Sequence, residues 1–250
     1  MTVAWAVSGW TLTLGAASFD HTHRLWDEVL QAHVHDGLVA YARLLEHRTP
    51  LDRYLEQTAA VTETQFETWT RPRQLAFLIN LYNAGTVRLI LDHYPVGSIK
   101  DLGRWFRSPW ELPVIRLWGK NRTLDELEHK IIRPRYHEPL VHFALVCAAR
   151  GCPPLRSEAY VAERLKAQLE DQVRRFLAQT AKNRVEPAAR TLYLSPIFKW
   201  YREDFEKAAG SVTAFLRPYW PPEVAATIDD RFRLRYTDYD WSLNDAAPGQ

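Results

Sequence analysis

Apolar positions in this chain fall into stretches with helical spacing, divided by short alternating runs and by turns marked with Pro and Gly. The longest stretch, Gln74 to His93, is apolar nearly all round and predicts the most buried helix of the fold. Arg71-Pro72-Arg73 introduces it, and Tyr94-Pro95 ends it, because the residue before a proline is pushed out of helical geometry. Residues 22–33 predict a first helix, closed by His35-Asp36-Gly37 and followed by an extended piece from Leu38 to Tyr41. Helical pattern resumes over Asp52 to Trp69. From Tyr160 to Thr180 the spacing predicts a long amphipathic helix with Leu165, Leu169, Val173, Phe176 and Leu177 on its stripe. Ser195-Pro196 opens another helix, for which Gly210 is the expected stop.

Period-two and β-rich runs are shorter. Pro109 to Trp118 predicts extended structure, turned by Gly119-Lys120-Asn121 into a helix that Thr123 and Glu126 would open as a capping box. That helix is expected to run through Ile132 and to close at Arg133-Pro134-Arg135. Thr191 to Leu194 predicts a short strand, and Phe232 to Asn244 a final strand or hairpin. The continuous apolar run Phe143 to Ala149, bounded by Arg150, Gly151, Pro153 and Pro154, predicts a buried strand with His142 at its mouth. Together these elements predict an α+β fold: a predominantly helical single domain over residues 21–250, around a small antiparallel sheet. Residues 1–20 stand apart. Within them, residues 3–17 read either as the end of an export signal or as an N-terminal hairpin about Ser8-Gly9.

Composition narrows the function classes. A hydrophobic content of 46% with 25% charged residues belongs to a globular protein, and ten tryptophans supply large core anchors. The net charge of +2 is spread along the chain, so the basic footprint of a nucleic-acid binder is missing. No apolar run has the length of a stable membrane span. There is no Gly-rich phosphate loop, no G-x-S-x-G elbow and no H-E-x-x-H, so no cofactor and no metal is expected, and the expected partner is a small molecule or a peptide.

Candidate chemistry concentrates in HFALVCAARGCPP, residues 142–154, which holds His142 and both cysteines of the chain. Four alternatives stay open for Cys147 and Cys152: small buried hydrophobes beside a core histidine, a thiol pair or disulfide, a nucleophilic thiol, or a zinc pair. In a regular strand His142 and Cys147 would point to opposite faces about 16 Å apart, which excludes a direct dyad. A turn over residues 148–151 would return Cys152 toward Cys147. Asn80 and Asn83 share one face of the buried helix, where an unpartnered amide costs about 1–3 kcal/mol, so each needs a specific partner. They would either pin loop backbone or line a pocket and orient an imidazole or a substrate carbonyl. We expect one of them to face His142 across a partly accessible site with a cysteine at its edge. The pairs His21/His23 and His33/His35 are expected to be solvated or capping residues in preference to metal ligands.

The segments FDHTHRLWDEVL, HDGLVAY, AFLINLYNAGTVRLILDHYPVGSIKDL, RTLDELEHKIIRPR, HFALVCAARGCPPLRSEAY, LYLSPIFKWYREDF and YDWSLND together resemble the family named domain of unknown function 547. Leu78 stands where that family usually has Trp, and Val146 where it usually has Asn. The resemblance implies export to the periplasm, and its fusions with redox-type domains imply a thiol role. His142 opening an apolar strand also resembles the histidine strand of papain-like and transglutaminase-like folds, although the central helix carries Asn80 and Asn83 and no cysteine. The expected function is a thiol-dependent hydrolase or acyl transferase. Cys152 or Cys147 would be the nucleophile, His142 the general base, and Asn83 or Asn80 the orienter or oxyanion donor. The alternative is a non-catalytic module that binds a peptide or small ligand and keeps its cysteines structural.

Overall fold

Helix α5 (Arg71–Leu91) organises the molecule, and every residue in it from Gln74 to Leu91 except Arg88 is buried. The sequence requires this, since the helix has no polar stripe that could face water. The computed structural model describes residues 18–103, 108–229 and 231–246. Both readings of residues 3–17 lie outside the described residues.

Ahead of α5 come α1 (Arg24–His33), a two-residue antiparallel hairpin of β1 (Val34–His35) and β2 (Leu38–Val39), α2 (Tyr41–Glu46), α3 (Thr49–Ala60) and α4 (Glu63–Glu67). The extended piece expected to reach Tyr41 stops at Val39, and Tyr41 already begins α2. Beyond α5, β3 (Pro113–Leu117) and β4 (Lys120–Thr123) form a second antiparallel hairpin. It lies so close to α5 that a Cβ at Gly85 would collide with Ile115. The capping box forms as expected: Glu126 N–H donates to Thr123 Oγ1 at 3.0 Å, and Thr123 N–H to Glu126 Oε2 at 3.3 Å. The helix it opens is a π-helix over Glu126–Ile132 and does not close at Arg133. It continues as α6 (Arg133–Tyr136), because Pro134 falls in the first turn, where no backbone donor is needed.

Helix α7 (Leu165–Leu177) buries the expected Leu165, Leu169, Val173, Phe176 and Leu177. It begins five residues later than its pattern, the intervening chain being held in a loop by Asn80. The remaining elements are β5 (Arg184–Glu186), β6 (Thr191–Leu194), α8 (Ile197–Trp200), α9 (Arg202–Ala209), α10 (Val212–Leu216), α11 (Pro222–Ala225) and β7 (Arg233–Tyr236). Gly210 ends α9 with φ +80°, as expected, but the single helix expected from Ser195-Pro196 is broken at Tyr201 into α8 and α9. In place of one small antiparallel sheet, the described residues form three: two hairpins, and a sheet in which β6 pairs antiparallel with β5 and parallel with β7. The parallel pairing is available because four helices separate β6 from β7, and a parallel partner needs a long crossover. The α+β, mostly helical reading holds. The buried hydrophobic side chains form one cluster, and no helix among the described residues is long and apolar enough to cross a membrane.

Candidate functional site

The predicted strand over Phe143 to Ala149 does not form. A 3-10 turn covers Pro139–Phe143, and the chain then runs irregularly to Cys152. An apolar run demands burial without specifying what satisfies its backbone, and buried N–H and C=O groups must find partners. Here the partners are mostly not a neighbouring strand. Asn83 Nδ2 donates to Ala144 O at 2.9 Å, and its Oδ1 accepts from Val146 N at 2.9 Å. Cys152 Sγ accepts from Cys147 N at 3.0 Å. The C-terminal segment supplies the rest: Asn244 N donates to Ala148 O at 3.0 Å, while Arg150 N and Gly151 N donate to Ser242 O at 2.8 Å and Asp240 O at 2.7 Å. A Cβ at Gly151 would lie 2.8 Å from Asp240 O and 2.9 Å from the Tyr239 ring, so only glycine lets that segment close on the loop.

The loop forms part of the wall of a cavity of about 240 Å³ that His142, Cys147 and Cys152 all line. Tyr82, Trp110, Trp200, Tyr201, Tyr239 and Trp241 supply its aromatic surface, and Glu128 a carboxylate. Trp200 is 49% exposed and stacks on Trp241 with ring centroids 5.9 Å apart.

His142 is buried and oriented. Its Nε2 is 2.7 Å from Asp204 Oδ2, and Arg133 holds the same carboxylate through Nε at 2.8 Å and Nη2 at 3.0 Å. Hydrogen bonding from His142, reinforced by Arg133, keeps the Asp204 carboxyl far below the usual carboxylate range, against the opposing effect of burial. Burial pushes the His142 imidazole down from its ordinary value, opposed by Asp204 and Glu128. Burial therefore favours the uncharged ring. With Nε2–H given to Asp204, the network assigns the lone pair to Nδ1. That nitrogen has no hydrogen-bond partner and lies 4.0 Å from Glu128 Oε1. Tyr201 covers the imidazole, centroids 3.7 Å apart, and its hydroxyl donates to Glu128 Oε1 at 2.6 Å. Burial, then the Glu128 carboxylate, pushes the Tyr201 phenol well above its ordinary value. Glu128 sits on the π-helix, an irregularity frequent at functional sites.

Cys147 and Cys152 are joined as a disulfide with Cα atoms 6.2 Å apart, so the expected turn does bring them together. The Tyr239 hydroxyl lies 3.1 Å from Cys152 Sγ and 3.2 Å from Cys147 Sγ. Lys182 donates to Cys152 O at 2.7 Å, and burial pushes its ammonium down to about 8.

The cavity wall thus holds His142, Cys147 and Cys152, and the regular strand on which the opposite-face exclusion was premised does not form. Asn80 and Asn83 do not join them at the cavity wall. Asn83 is spent on the loop, and Asn80 brackets Tyr160, with Nδ2 donating to its O at 2.7 Å and Oδ1 accepting from its N at 3.0 Å. The predicted face-to-face arrangement of asparagine and His142 is absent because both amides satisfy buried backbone. His23 is the N-cap residue of α1, one of its two expected roles, but it is not solvated: it is buried with Nδ1 2.8 Å from the Tyr54 hydroxyl. His33 is buried too, whereas His35 is exposed and His21 half-buried. Glu128, Asp204, Arg133, Tyr201 and Tyr239 were missed. Glu203-Asp204 reads as a solvated helix face, and nothing in its spacing marks Asp204 as the partner of His142. Their one signal is membership of the segments that carry the family resemblance.

The protein is thus an α+β, mainly helical type whose cavity is lined by histidine, carboxylate, disulfide and aromatic side chains. Residues 66–177 match the family model described as "Protein of unknown function, DUF547", which supports the resemblance over that part of the chain, from α4 to the end of α7. Neither the comparison with curated proteins nor that with solved structures found a match.

Proposed function

We propose that the cavity is the active centre of a thiol-dependent hydrolase or acyl transferase, working in the dithiol state of Cys147 and Cys152. Support comes from one observation above all: an oriented imidazole with an unpartnered nitrogen belongs to the wall of the cavity that both sulfurs line. A dithiol reductant supplies two electrons to the disulfide and becomes a disulfide itself, while each protein sulfur gains a proton. Cys152 is the favoured nucleophile, because the Cys147 amide and the Tyr239 hydroxyl both donate toward its sulfur and would stabilise a thiolate.

His142 Nδ1 takes the thiol proton as Sγ attacks an ester, thioester or amide carbonyl, forming the S–C bond while the carbonyl π pair moves to oxygen. Collapse expels the leaving group, which takes the proton from Nδ1. Water or an acceptor nucleophile then attacks the thioester, and its proton passes through Nδ1 to the departing sulfur. Asp204 keeps the imidazole in the tautomer this needs, and Asn83 shapes the loop without touching substrate.

A second reading is favoured by the bond between the sulfurs, since the disulfide state holds no nucleophile. In that reading the cavity binds a peptide or small ligand. Iodoacetamide labelling near pH 6 after mild dithiol reduction separates the two. Rapid labelling of Cys152 in wild type, slowed in His142→Ala, together with ester or thioester turnover lost in Cys152→Ser, supports the enzyme. Labelling only on unfolding, with no turnover, leaves the binding module.

A further inference from the structure

The cavity is specific about the polarity of what it holds. Two acceptors stand close together on residues of its wall: His142 Nδ1, which is buried and has no partner, and Glu128 Oε1 4.0 Å away, which accepts from the Tyr201 hydroxyl. A buried acceptor without a donor costs about 1–3 kcal/mol, so a ligand that brings N–H groups relieves what a ligand of acceptors would worsen. A second carboxylate, Asp125, also lines the cavity, together with six aromatic rings, whose π faces carry partial negative charge. Such faces attract cations, and two of these rings already do so within the chain. The Lys100 ammonium lies 3.8 Å from the Trp241 ring centroid and the Arg133 guanidinium 5.3 Å from that of Tyr201, and neither residue lines the cavity. A volume of about 240 Å³ suits a head group, being smaller than the usual drug-sized site.

We propose that the cavity binds a primary ammonium or guanidinium group, carried on a small molecule or on a peptide side chain, between Glu128 with His142 and the rings of Trp200 and Trp241. Hydrogen bonding sets the preference: a quaternary ammonium satisfies the rings but offers nothing to the two acceptors. The inference shares its cavity and His142 with the proposed function but needs neither thiol, so the two fail separately.

The test uses the oxidised full chain, with tryptophan fluorescence titrated by butylammonium and butylguanidinium chloride beside sodium butyrate, 1-butanol and tetramethylammonium chloride. Saturable binding of the first two, at least tenfold tighter than of the other three, is expected. Glu128→Gln should weaken butylammonium at least tenfold, and Trp241→Leu severalfold. Butyrate or butanol binding as well as butylammonium would overturn the proposal, as would tetramethylammonium binding equally or a folded Glu128→Gln variant of unchanged affinity. Should Glu128→Gln not fold, the wild-type order of the five probes decides alone. Thiol labelling that fails while this order holds removes the enzyme reading and keeps the cation site.

Discussion

Two histidines in this molecule are almost equally hidden from water and have different fates. His23, 1% exposed, lies edge-on to Phe19 with centroids 5.3 Å apart and bonds the Tyr54 hydroxyl, and burial pushes it down to about 3. His142, 4% exposed, has a carboxylate on one nitrogen and nothing on the other. Burial alone makes a structural histidine. A fixed orientation and an unpartnered nitrogen on a residue of the cavity wall are what the proposed chemistry rests on.

Removing the carboxylate should break this contrast most severely. Asp204→Ala leaves His142 and Arg133 without their partner, for an expected loss of about 3 kcal/mol at pH 7, read as a lower urea midpoint. The Asp204 carboxyl lies below its ordinary 3.8 in the folded state, so its contribution is present above that value and lost as the pH falls below it. The gap between variant and wild type should therefore narrow toward pH 2. An equal gap at both pH values would show that lost packing, not the charged pair, causes the effect.

His23 should dominate the mildly acidic range. Its folded value of about 3 lies below the unfolded 6.5, so the unfolded chain binds more protons between them and stability falls as the pH drops through that window. The slope it contributes approaches about 1.4 kcal/mol per pH unit. Denaturation midpoints of His23→Gln should vary less between pH 6.5 and 3 than those of wild type, and an unchanged profile would place the titration elsewhere.

Tyr54→Phe removes only the hydroxyl that His23 bonds, and calorimetry should show a loss of about 1 kcal/mol. Lys207→Ala, on the exposed face of the helix that carries Asp204, deletes an ion pair with Glu203 in open solvent. It should leave the denaturation midpoint essentially unchanged, with ligand titrations unaltered. A larger effect would mean that the solvated side of α9 takes part in holding the site.

The site was legible in part. His142, Cys147 and Cys152 stand out as residue types within thirteen positions, and the cavity holds all three. Asn80 and Asn83 were correctly marked as amides needing partners, but their targets, Tyr160 and the Ala144–Val146 backbone, come from loops that no periodicity describes. Asp204 is 62 residues from His142 and carries the pattern of an ordinary surface acid.

Alone, the sequence determined the features that local rules govern. The buried helix α5, the Thr123/Glu126 capping box, the apolar stripe of α7 and the Gly210 stop depend on spacings within a few turns of chain, and each formed. Tertiary structure decided the fate of residues 142–152, because an apolar run fixes only that the chain is buried. Where its backbone groups find partners depended on Asn83 and on the segment from Asp240 to Asn244, far away in sequence. Those long-range bonds folded the predicted strand into a loop, and with it placed His142 and both cysteines on the wall of one cavity.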